Sequence, residues 1–334
     1  MKACRYRVLV VTNLWPTEAD PGYGSFVQAQ MESLRPLGVD YDVVFVNGRG
    51  SRLNYLRGVF EVRDRLAAGR YDLVHAHFGL SGWVARFQAR APLVVSLMGD
   101  DVLGRFDRDG RNSLAGRLLQ LSTRVLARRA AAVIVKSRQM KDRLGLPSAH
   151  VIPNGVNLNL FRPMDRNQAR AMLGLDPGRK YALFPYDPAV ARKRFDLVEA
   201  AVRLARPEVP ELEILQVLGV PRERMPVYLN AADVLVLASY AEGSPNAVKE
   251  AMAVNLPVIS VDVGDVAELI GTTERCFLVP ARAGEIAERI VEVCRGGVRT
   301  QGRDQGREWI AARYGEEAIA RRIVEIYAGV TSAR

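Results

Sequence analysis

The chain has 334 residues, enough for two domains of ordinary size, and 49% of them are apolar, enough for two cores. No apolar run approaches the roughly 18 residues of a membrane span, and three scattered cysteines exclude a disulfide framework. Residues 1–157 hold 23 of the 47 basic and 13 of the 37 acidic residues, so this half carries the whole net charge of +10.

The basic N-terminal half is rich in arginine and suits anionic lipid, an acidic substrate or nucleic acid. An arginine-rich background composition explains the charge equally well. Because the arginines are not interleaved with aromatics in a recognisable nucleic-acid module, we expect no nucleic-acid partner. The first apolar run is short and reads as a strand rather than a signal peptide, so we expect a cytoplasmic protein, with peripheral binding to the inner face of the membrane as an option.

Short β-rich apolar runs alternate with amphipathic stretches along the whole chain. Before residue 150, strands are predicted at YRVLVVTN, DYDVVFVN, YDLVHAH, PLVVSLMG and AAVIVKS, and helices at 24–38, RLNYLRGVFEVRDRLAA and LAGRLLQLSTRVLARRA. After residue 163, strands are predicted at KYALFPY, ELEILQVL, DVLVLAS, LPVISVD and RCFLVP, with helices between them and two amphipathic helices at the end. This rhythm predicts an α/β fold of parallel, doubly wound sheets.

The segment HVIPNGVNLNLFRP (150–163) interrupts the rhythm with two prolines, a glycine and three asparagines. Such turn chemistry is typical of a linker. We therefore expect an N-terminal domain over residues 1–155 and a second Rossmann-like domain that begins at residue 156.

The stretch AEGSPNAVKEAMA (241–253) places two glutamates, Glu242 and Glu250, around a turn and a helix start. Ser244 is expected to cap the helix and Pro245 to occupy its first turn. The free N–H groups of that helix end favour a phosphate, and Gly243 allows close backbone approach. The pair therefore fits a nucleotide-sugar, with sugar at Glu242 and ribose at Glu250. From spacing alone, a loop charge and a solvated helix residue explain the pair better.

Two further segments offer phosphate ligands. VARKRFD (190–196) supplies Arg192, Lys193 and Arg194 just before a helix, where they would neutralise a departing phosphate or simply form an exposed charge run. Near the start, a loop containing Gly22 and Gly24 precedes the first helix and could admit phosphate or substrate.

Together these segments resemble the GT-B glycosyltransferases of family 4, which are retaining nucleotide-sugar enzymes. Glu242 and Glu250 reproduce the E-x7-E signature, and VIPNGVNLNLFRP, PGYGSFVQAQMESLRPLG and DLVHAHFGLSG resemble the interdomain segment, the glycine loop and the acceptor-side segment. The resemblance implies two Rossmann-like domains facing a central cleft, no metal ion and no cofactor besides the donor. It also implies that residues 156–312 form the donor domain and that residues 313–334 cross back to the N-terminal domain.

The resemblance assigns roles residue by residue. Glu242 would contact the donor sugar near the reacting carbon, Glu250 would bind ribose, and Lys193 would act on the leaving phosphate. His77 would lie at the acceptor side. The remaining donor-binding candidates are Arg192, Arg194, Gly243, Ser244, Pro245, Asn246 and Gly24.

The chain departs from the family pattern in three places. The strand before VARKRFD lacks the usual Gly-Arg, so Arg192 or Arg194 would replace that arginine. Met98 stands where the family often has a histidine, and Asp101 is kept as a candidate ligand for an acceptor hydroxyl. The segment QVLGVPRERMPVYLNAADV is shorter than usual, which leaves base recognition open. We interpret Asp100 and Asp101 as loop and cap acids rather than metal ligands, and expect no metal at His75 and His77.

The predicted function is transfer of a sugar from a nucleoside diphosphate sugar to a hydroxyl of a saccharide or lipid-linked acceptor, with retention. The expected enzyme type is a metal-independent hexosyltransferase of cell-surface polysaccharide or glycolipid synthesis. The alternatives are a GT-B nucleotide-sugar epimerase and a peripheral adaptor with a decayed active site. An anionic membrane surface is a further expected partner, with Arg117, Arg124 and Arg128 on one side of a helix.

Overall fold

The computed structural model describes residues 5–107, 109–271, 273–296 and 305–332. The chain divides into two compact units, each built around its own parallel sheet. The first unit comprises Met1–Arg105, Asn112–Gly155 and Glu316–Arg334, and the second comprises Phe106–Arg111 and Val156–Gly315.

The first unit contains a six-stranded parallel sheet of order β2-β1-β3-β4-β5-β6. Most residues of its inner strands are apolar and buried because helices cover the sheet, whereas the two edge strands are partly exposed. They are β1 (Tyr6–Thr12), β2 (Val39–Phe45), β3 (Leu73–His77), β4 (Leu93–Ser96), β5 (Ala132–Val135) and β6 (His150–Val151).

Helices cover both faces of this sheet. They are α1 (Ser25–Leu34), α2 (Asn54–Ala68), α3 (Gly79–Arg86), α4 (Asp100–Leu103), α5 (Leu114–Ala127), α6 (Arg138–Leu144) and the C-terminal α14 (Glu316–Ser332). Helices α1 and α14 pack together over the face that carries Val94. Helix α3 covers the opposite face, where Gly82 lies against Val95, and packs between α2 and α5. The first helix is shorter than predicted, because a 3-10 turn over Arg35–Leu37 precedes Gly38.

The second unit contains a five-stranded parallel sheet of order β11-β10-β9-β7-β8. Its strands are β7 (Lys180–Phe184), β8 (Leu212–Gln216), β9 (Val234–Leu237), β10 (Val258–Ser260) and β11 (Cys276–Leu278). Its helices are α7 (Arg166–Leu173), α8 (Phe195–Ala205), α9 (Met225–Ala231), α10 (Asn246–Ala253), α11 (Val266–Ile270), α12 (Ala283–Arg295) and α13 (Gln305–Tyr314). Short 3-10 turns occupy Ala191–Lys193 and Arg222–Arg224.

Both sheets are parallel, and apolar residues are buried on both faces of each sheet. The predicted α/β fold with two Rossmann-like, doubly wound sheets is confirmed. Within the described residues, no helix combines the length and the apolar character that crossing a membrane requires.

Candidate functional site

The loop between β9 and α10 carries Glu242 at the carboxyl end of a fully buried strand. The apolar run of β9 ends at Leu237, and α10 begins at Asn246. Pro245 occupies the N-cap position in an extended conformation, with φ −69° and ψ 115°. The expected capping by Ser244 is therefore wrong, because the helix starts one residue later than its hydroxyl would need, and Ser244 bonds elsewhere.

Glu242 is buried and held by three donors. Oε1 accepts from Nζ of Lys193 at 2.6 Å and from the Ser239 hydroxyl at 2.7 Å. Oε2 lies 3.0 Å from a guanidinium nitrogen of Arg192. A carboxylate offers about four lone-pair positions, so this one retains acceptor capacity for another donor group.

A one-turn 3-10 segment presents Lys193 and Arg192 to this carboxylate. The Tyr240 N–H donates to the Arg192 carbonyl at 2.9 Å, and the Arg192 side chain donates to the Ala241 carbonyl at 2.6 Å. These bonds tie the two loops together. Nζ of Lys193 also lies 3.5 Å from the ring centroid of Tyr186, a cation–π contact.

Arg194 packs against a tyrosine of the β9–α10 loop. Its φ of +53° turns the chain into α8, and its guanidinium lies 4.7 Å from the ring centroid of Tyr240. Of the two arginines left open by the sequence, Arg192 is therefore the one that shares Glu242 with Lys193.

The charges around Glu242 fix its ionisation. Burial alone would raise the pKa of Glu242, but the charges of Lys193 and Arg192 and the hydrogen bonds outweigh burial and lower the pKa to about 2. The group thus contains an ionised carboxylate and two cations, which leaves a surplus of one positive charge.

Glu250 lies in the second turn of α10 and is buried as well. Its Oε1 lies 3.2 Å from a guanidinium nitrogen of Arg222, on the 3-10 turn before α9. The interpretation of Glu250 as a solvated helix residue is therefore wrong. One carboxylate oxygen is engaged by Arg222, and a vicinal diol is a suitable partner for the rest of the group.

A second charged group, which the sequence did not reveal, lies directly beneath the loop. Lys249 is fully buried and donates to the Ser244 hydroxyl at 3.0 Å. Burial lowers the pKa of Lys249 to about 8, against the opposing charges of Asp265 and Glu250. Burial raises the pKa of Asp265 to about 6, although Lys249 and a hydrogen bond from Ser244 oppose the shift. Lys249 and Asp265 together hold the Ser244 side chain.

Gly264 packs closely against the same loop. Its φ is +63°, and a Cβ there would lie 2.8 Å from the carbonyl oxygens of both Glu242 and Gly243. Only glycine allows this approach without moving the loop.

The structure thus brings most of the predicted donor residues together in the second unit. The loop and the start of α10 are formed by Gly243, Ser244, Pro245 and Asn246. Around them lie four charged side chains, those of Arg192, Lys193, Glu242 and Glu250. The residues that sequence reasoning missed are Tyr186, Arg222, Ser239, Lys249, Gly264 and Asp265. Their only signal was position beside a strand end or beside Glu250, which many other polar residues share.

His77 lies at the end of β3 in the first unit and is fully buried. Its ring is 4.2 Å from that of His75, whose Nδ1 is 2.6 Å from the Tyr327 hydroxyl and whose Nε2 is 2.8 Å from that of Ser96. Burial lowers the pKa of His75 to about 3 and that of His77 well below its ordinary value. Both imidazoles are thus neutral at physiological pH, and the acceptor-side role of His77 stays a prediction.

Asp101 is buried in the short helix α4 and accepts hydrogen bonds from the backbone. Its carboxylate receives the N–H groups of Gly79 at 3.1 Å, Met98 at 3.0 Å and Gly99 at 2.9 Å. Burial raises the pKa of Asp101 to about 6, against these bonds. The geometry gives Asp101 a role in shaping the loop between β4 and α4, and contact with an acceptor stays a prediction.

Gly24 is the N-cap of α1, with φ +70°. A Cβ there would lie 2.2 Å from the carbonyl carbon of Leu14, so the loop after β1 packs directly on this glycine. Its donor-binding role stays a prediction. Across the described ranges, His, Cys, Asp and Glu side chains form no group of three placed to hold a metal ion.

Two protein-family models match the chain. The model described as "Glycosyl transferase 4-like domain" matches residues 1–155, and the one described as "Glycosyl transferases group 1" matches residues 196–295. The first contains β1 to β6, and the second contains Glu242, Glu250 and Lys249.

Curated relatives align over most of the chain. One is TuaC of Bacillus subtilis (strain 168), which its name assigns provisionally to teichuronic acid biosynthesis as a glycosyltransferase. It is 26% identical, over 85% of this chain and 88% of that relative. Another is the D-inositol 3-phosphate glycosyltransferase of Thermobispora bispora, 27% identical over 83% of this chain and 75% of that relative.

Solved structures show the same fold. Sucrose-phosphate synthase from Thermosynechococcus elongatus superposes with a TM-score of 0.78 at 21% identity, covering 99% of this chain and 100% of that one. Anabaena HepE in complex with UDP-glucose superposes with a TM-score of 0.71 at 17% identity, covering 97% and 100%. These matches confirm the predicted resemblance: the chain is a glycosyltransferase made of a glycosyl transferase 4-like domain and a domain of glycosyl transferases group 1, and it has the GT-B fold.

Proposed function

We propose that this glycosyltransferase moves a sugar from a nucleoside diphosphate sugar to a hydroxyl of a saccharide or lipid-linked acceptor, with retention of anomeric configuration. The observation that carries the proposal is the contact of Lys193 and Arg192 with Glu242 beside the start of α10. Two cations and a helix N-terminus there favour a diphosphate, and an ionised carboxylate beside them accepts sugar hydroxyls.

Glu250 completes the proposed donor site. It lies eight residues after Glu242 on the buried α10. Its carboxylate would accept hydrogen bonds from the ribose hydroxyls, while Arg222 would hold the Glu250 side chain in place. The structures of HepE with UDP and UDP-glucose support a uridine nucleotide as the first donor to test. The same cations would neutralise the leaving group, so the proposal needs no metal ion.

The proposed reaction is a front-face displacement at the anomeric carbon. The bond from that carbon to the phosphate oxygen breaks, and the acceptor oxygen bonds to the carbon on the same face. The acceptor's proton passes to the leaving phosphate oxygen, whose developing charge Lys193 and Arg192 stabilise. Glu242 would orient the sugar through its hydroxyls and hold Lys193 in place.

The names of the relatives support the proposed acceptor class. Their names point to teichuronic acid synthesis and to D-inositol 3-phosphate as acceptor, which supports a role in cell-surface polysaccharide or glycolipid synthesis. A hexosyltransferase activity and a cytoplasmic location at the inner face of the membrane are also part of the proposal.

A panel of nucleoside diphosphate sugars, incubated with the protein and followed by NMR, tests the reaction. We expect slow hydrolysis of one donor, first giving the anomer present in the donor, and its loss in Glu242→Ala. Release of the opposite anomer would overturn retention. Conversion to an epimeric sugar would favour the nucleotide-sugar epimerase, and binding without turnover of any donor would favour a decayed adaptor.

A further inference from the structure

The helical layer formed by α2, α3 and α5 carries an unusual number of exposed apolar side chains. Seven of the twelve exposed large apolar residues among those described belong to this layer or its ends, and each is at least 59% exposed. They are Leu53, Leu56, Phe60, Phe87, Leu114, Leu118 and Leu121, and we call them the apolar face. Exposed side chains concentrated in this way mark an interaction surface.

Helical spacing places these residues side by side. Leu114, Leu118 and Leu121 follow at intervals of four and three along α5, and so lie on one side of it. Leu53, Leu56 and Phe60 repeat the pattern on α2. Helix α3 packs between the two, and its end adds Phe87 beside Trp83, with ring centroids 6.4 Å apart.

Arginines outnumber acidic residues around the apolar face. Residues 111–131 contain five arginines and no acidic residue, residues 79–92 contain two and none, and residues 52–65 contain four arginines against Glu61 and Asp64. A groove of about 680 Å³ between the ends of α2 and α3 is lined by Arg63, Arg86 and Arg90, together with Phe87 and a single acid, Asp64. Anions of a surface would meet several arginines at once.

The apolar face also lies at a functionally relevant edge. In a parallel α/β sheet, each helix begins at the carboxyl edge of the strand before it. Leu53 and Leu56 flank the first turn of α2, and Leu114 and Leu118 lie in the first turns of α5. Leu53, Leu56, Leu114 and Leu118 therefore sit near the edge that carries His77, whereas Phe87, at the end of α3, lies toward the opposite edge.

We propose that the apolar face docks on an anionic lipid bilayer, with its leucines and phenylalanines inserted among the acyl chains and the arginines bound to phosphate headgroups. Charge complementarity selects this occupant. A second copy of the chain would bring two arginine rims together, and like charges in contact oppose association. An anionic bilayer matches both the apolar and the basic part.

Insertion adds a property that charge alone does not give. The sequence indicated docking through Arg117, Arg124 and Arg128, which are all exposed on α5. Salt screens such contacts over a Debye length, but it does not weaken the burial of leucine side chains. Docking through the apolar face therefore persists in part at high salt.

Flotation with vesicles of phosphatidylglycerol and phosphatidylcholine tests the proposal without any transfer reaction, so its outcome is independent of the proposed donor chemistry. The test variant is Leu114→Ser/Leu118→Ser/Leu121→Ser. The matched control is Met172→Ser/Leu204→Ser/Leu218→Ser, which changes three exposed apolar residues of the second unit. Far-ultraviolet circular dichroism and thermal unfolding verify that each variant is folded.

We expect wild type and control to float with anionic vesicles and to remain partly bound at high salt. The α5 variant should bind these vesicles at least roughly tenfold more weakly than wild type. A Leu118→Trp reporter should shift its emission to the blue on anionic vesicles and be quenched by brominated lipids. Equal binding of the α5 variant and the wild type, or an unshifted reporter, would overturn insertion. A wild-type dimer that the α5 substitutions dissociate, without vesicle binding, would assign the face to a second copy.

Discussion

The ammonium group of Lys193 lies 2.6 Å from Oε1 of Glu242, and both side chains are buried. The two residues come from loops 49 positions apart in the chain, each following a strand of the same sheet. The pair therefore places a cation and a carboxylate together beside the N-terminus of α10, which is the relationship that the proposed chemistry uses.

Replacing Lys193 tests its action on the leaving group. Lys193→Ala should lower kcat more than it raises the donor KM, because the contact of Lys193 with the leaving group strengthens as charge develops. The loss of transition-state stabilisation should be on the order of 3 kcal/mol. Arg192→Ala should follow the same pattern more weakly, since Arg192 shares Glu242. Arg194→Ala is the control, because that guanidinium lies on Tyr240. Loss of turnover in Arg194→Ala alone would show that the wrong cation has been assigned.

Glu250 is predicted to bind the donor through its ribose. Glu250→Ala should weaken nucleoside diphosphate binding roughly tenfold or more, because a charged hydrogen bond is lost. Glu250→Gln, which keeps an acceptor, should bind with intermediate affinity, and Glu288→Ala on the exposed side of α12 should match wild type. Calorimetry measures all four proteins. Unchanged affinity in a folded Glu250→Ala protein rejects the ribose assignment.

Gly264 is predicted to set the position of Glu242. Gly264→Ala would add a Cβ 2.8 Å from two carbonyl oxygens of the loop, besides roughly 1–2 kcal/mol of left-handed backbone strain. Turnover should fall by more than the smaller fraction of folded protein explains. Gly174→Ala has nearly the same φ, +66°, but no atom within 4 Å, so it isolates the strain alone. Steady-state rates and urea unfolding of both variants make the comparison, and equal turnover losses would refute the positioning role.

The buried Lys249 and Asp265 are predicted to depend on each other. Lys249→Met leaves the Asp265 carboxylate buried without its cation and should destabilise the protein by about 3–5 kcal/mol. Lys249→Met/Asp265→Asn should lose less than the sum of the single changes. The control cycle uses Asp262→Asn, an exposed acid of the same loop, and should be additive. Urea unfolding gives each free energy, and additivity in the Lys249–Asp265 cycle would contradict the coupling.

Asp101 gives the stability a pH dependence whose sign can be worked out. Its pKa is raised from 3.8 to about 6 in the folded protein, so its contribution is fully present below pH 3.8 and is lost as pH rises through 6. Over that window the loss amounts to about 3 kcal/mol. Asp101→Asn lacks this titrating group. The unfolding free energy of wild type minus that of the variant should therefore fall as pH rises from 4 to 6. A constant gap in urea unfolding would contradict this.

The parts of the site that the sequence predicted are those whose signals are local. Glu242 and Glu250 stand out because an apolar strand, a glycine turn and an apolar helix follow one another within a few residues. The choice between Arg192 and Arg194 was not readable, because they are two residues apart and only the left-handed turn at Arg194 separates their directions.

The remaining site residues depend on contacts between distant segments. Lys249 precedes Glu250 on α10, and nothing local distinguishes it from a solvated lysine until Asp265 comes to lie near it. Arg222 belongs to a run with Glu223 and Arg224, of which the fold selects one for Glu250. Ser244 was assigned to the helix cap because the expected start of the helix was one residue too early.

The C-terminal helix α14 has a consequence for dissecting the protein. Ile319, Ile323 and Tyr327 fill the core of the first unit, against strands that lie nearly two hundred residues or more earlier in the chain. A fragment cut after residue 155 would keep α1 on that face of its sheet but would lose the part of the cover that α14 supplies. Expressed alone, residues 1–155 would thus lack α14, and residues 156–332 would carry α14 without the sheet that it covers. Adding 316–332 as a separate peptide should restore the missing cover of the first unit.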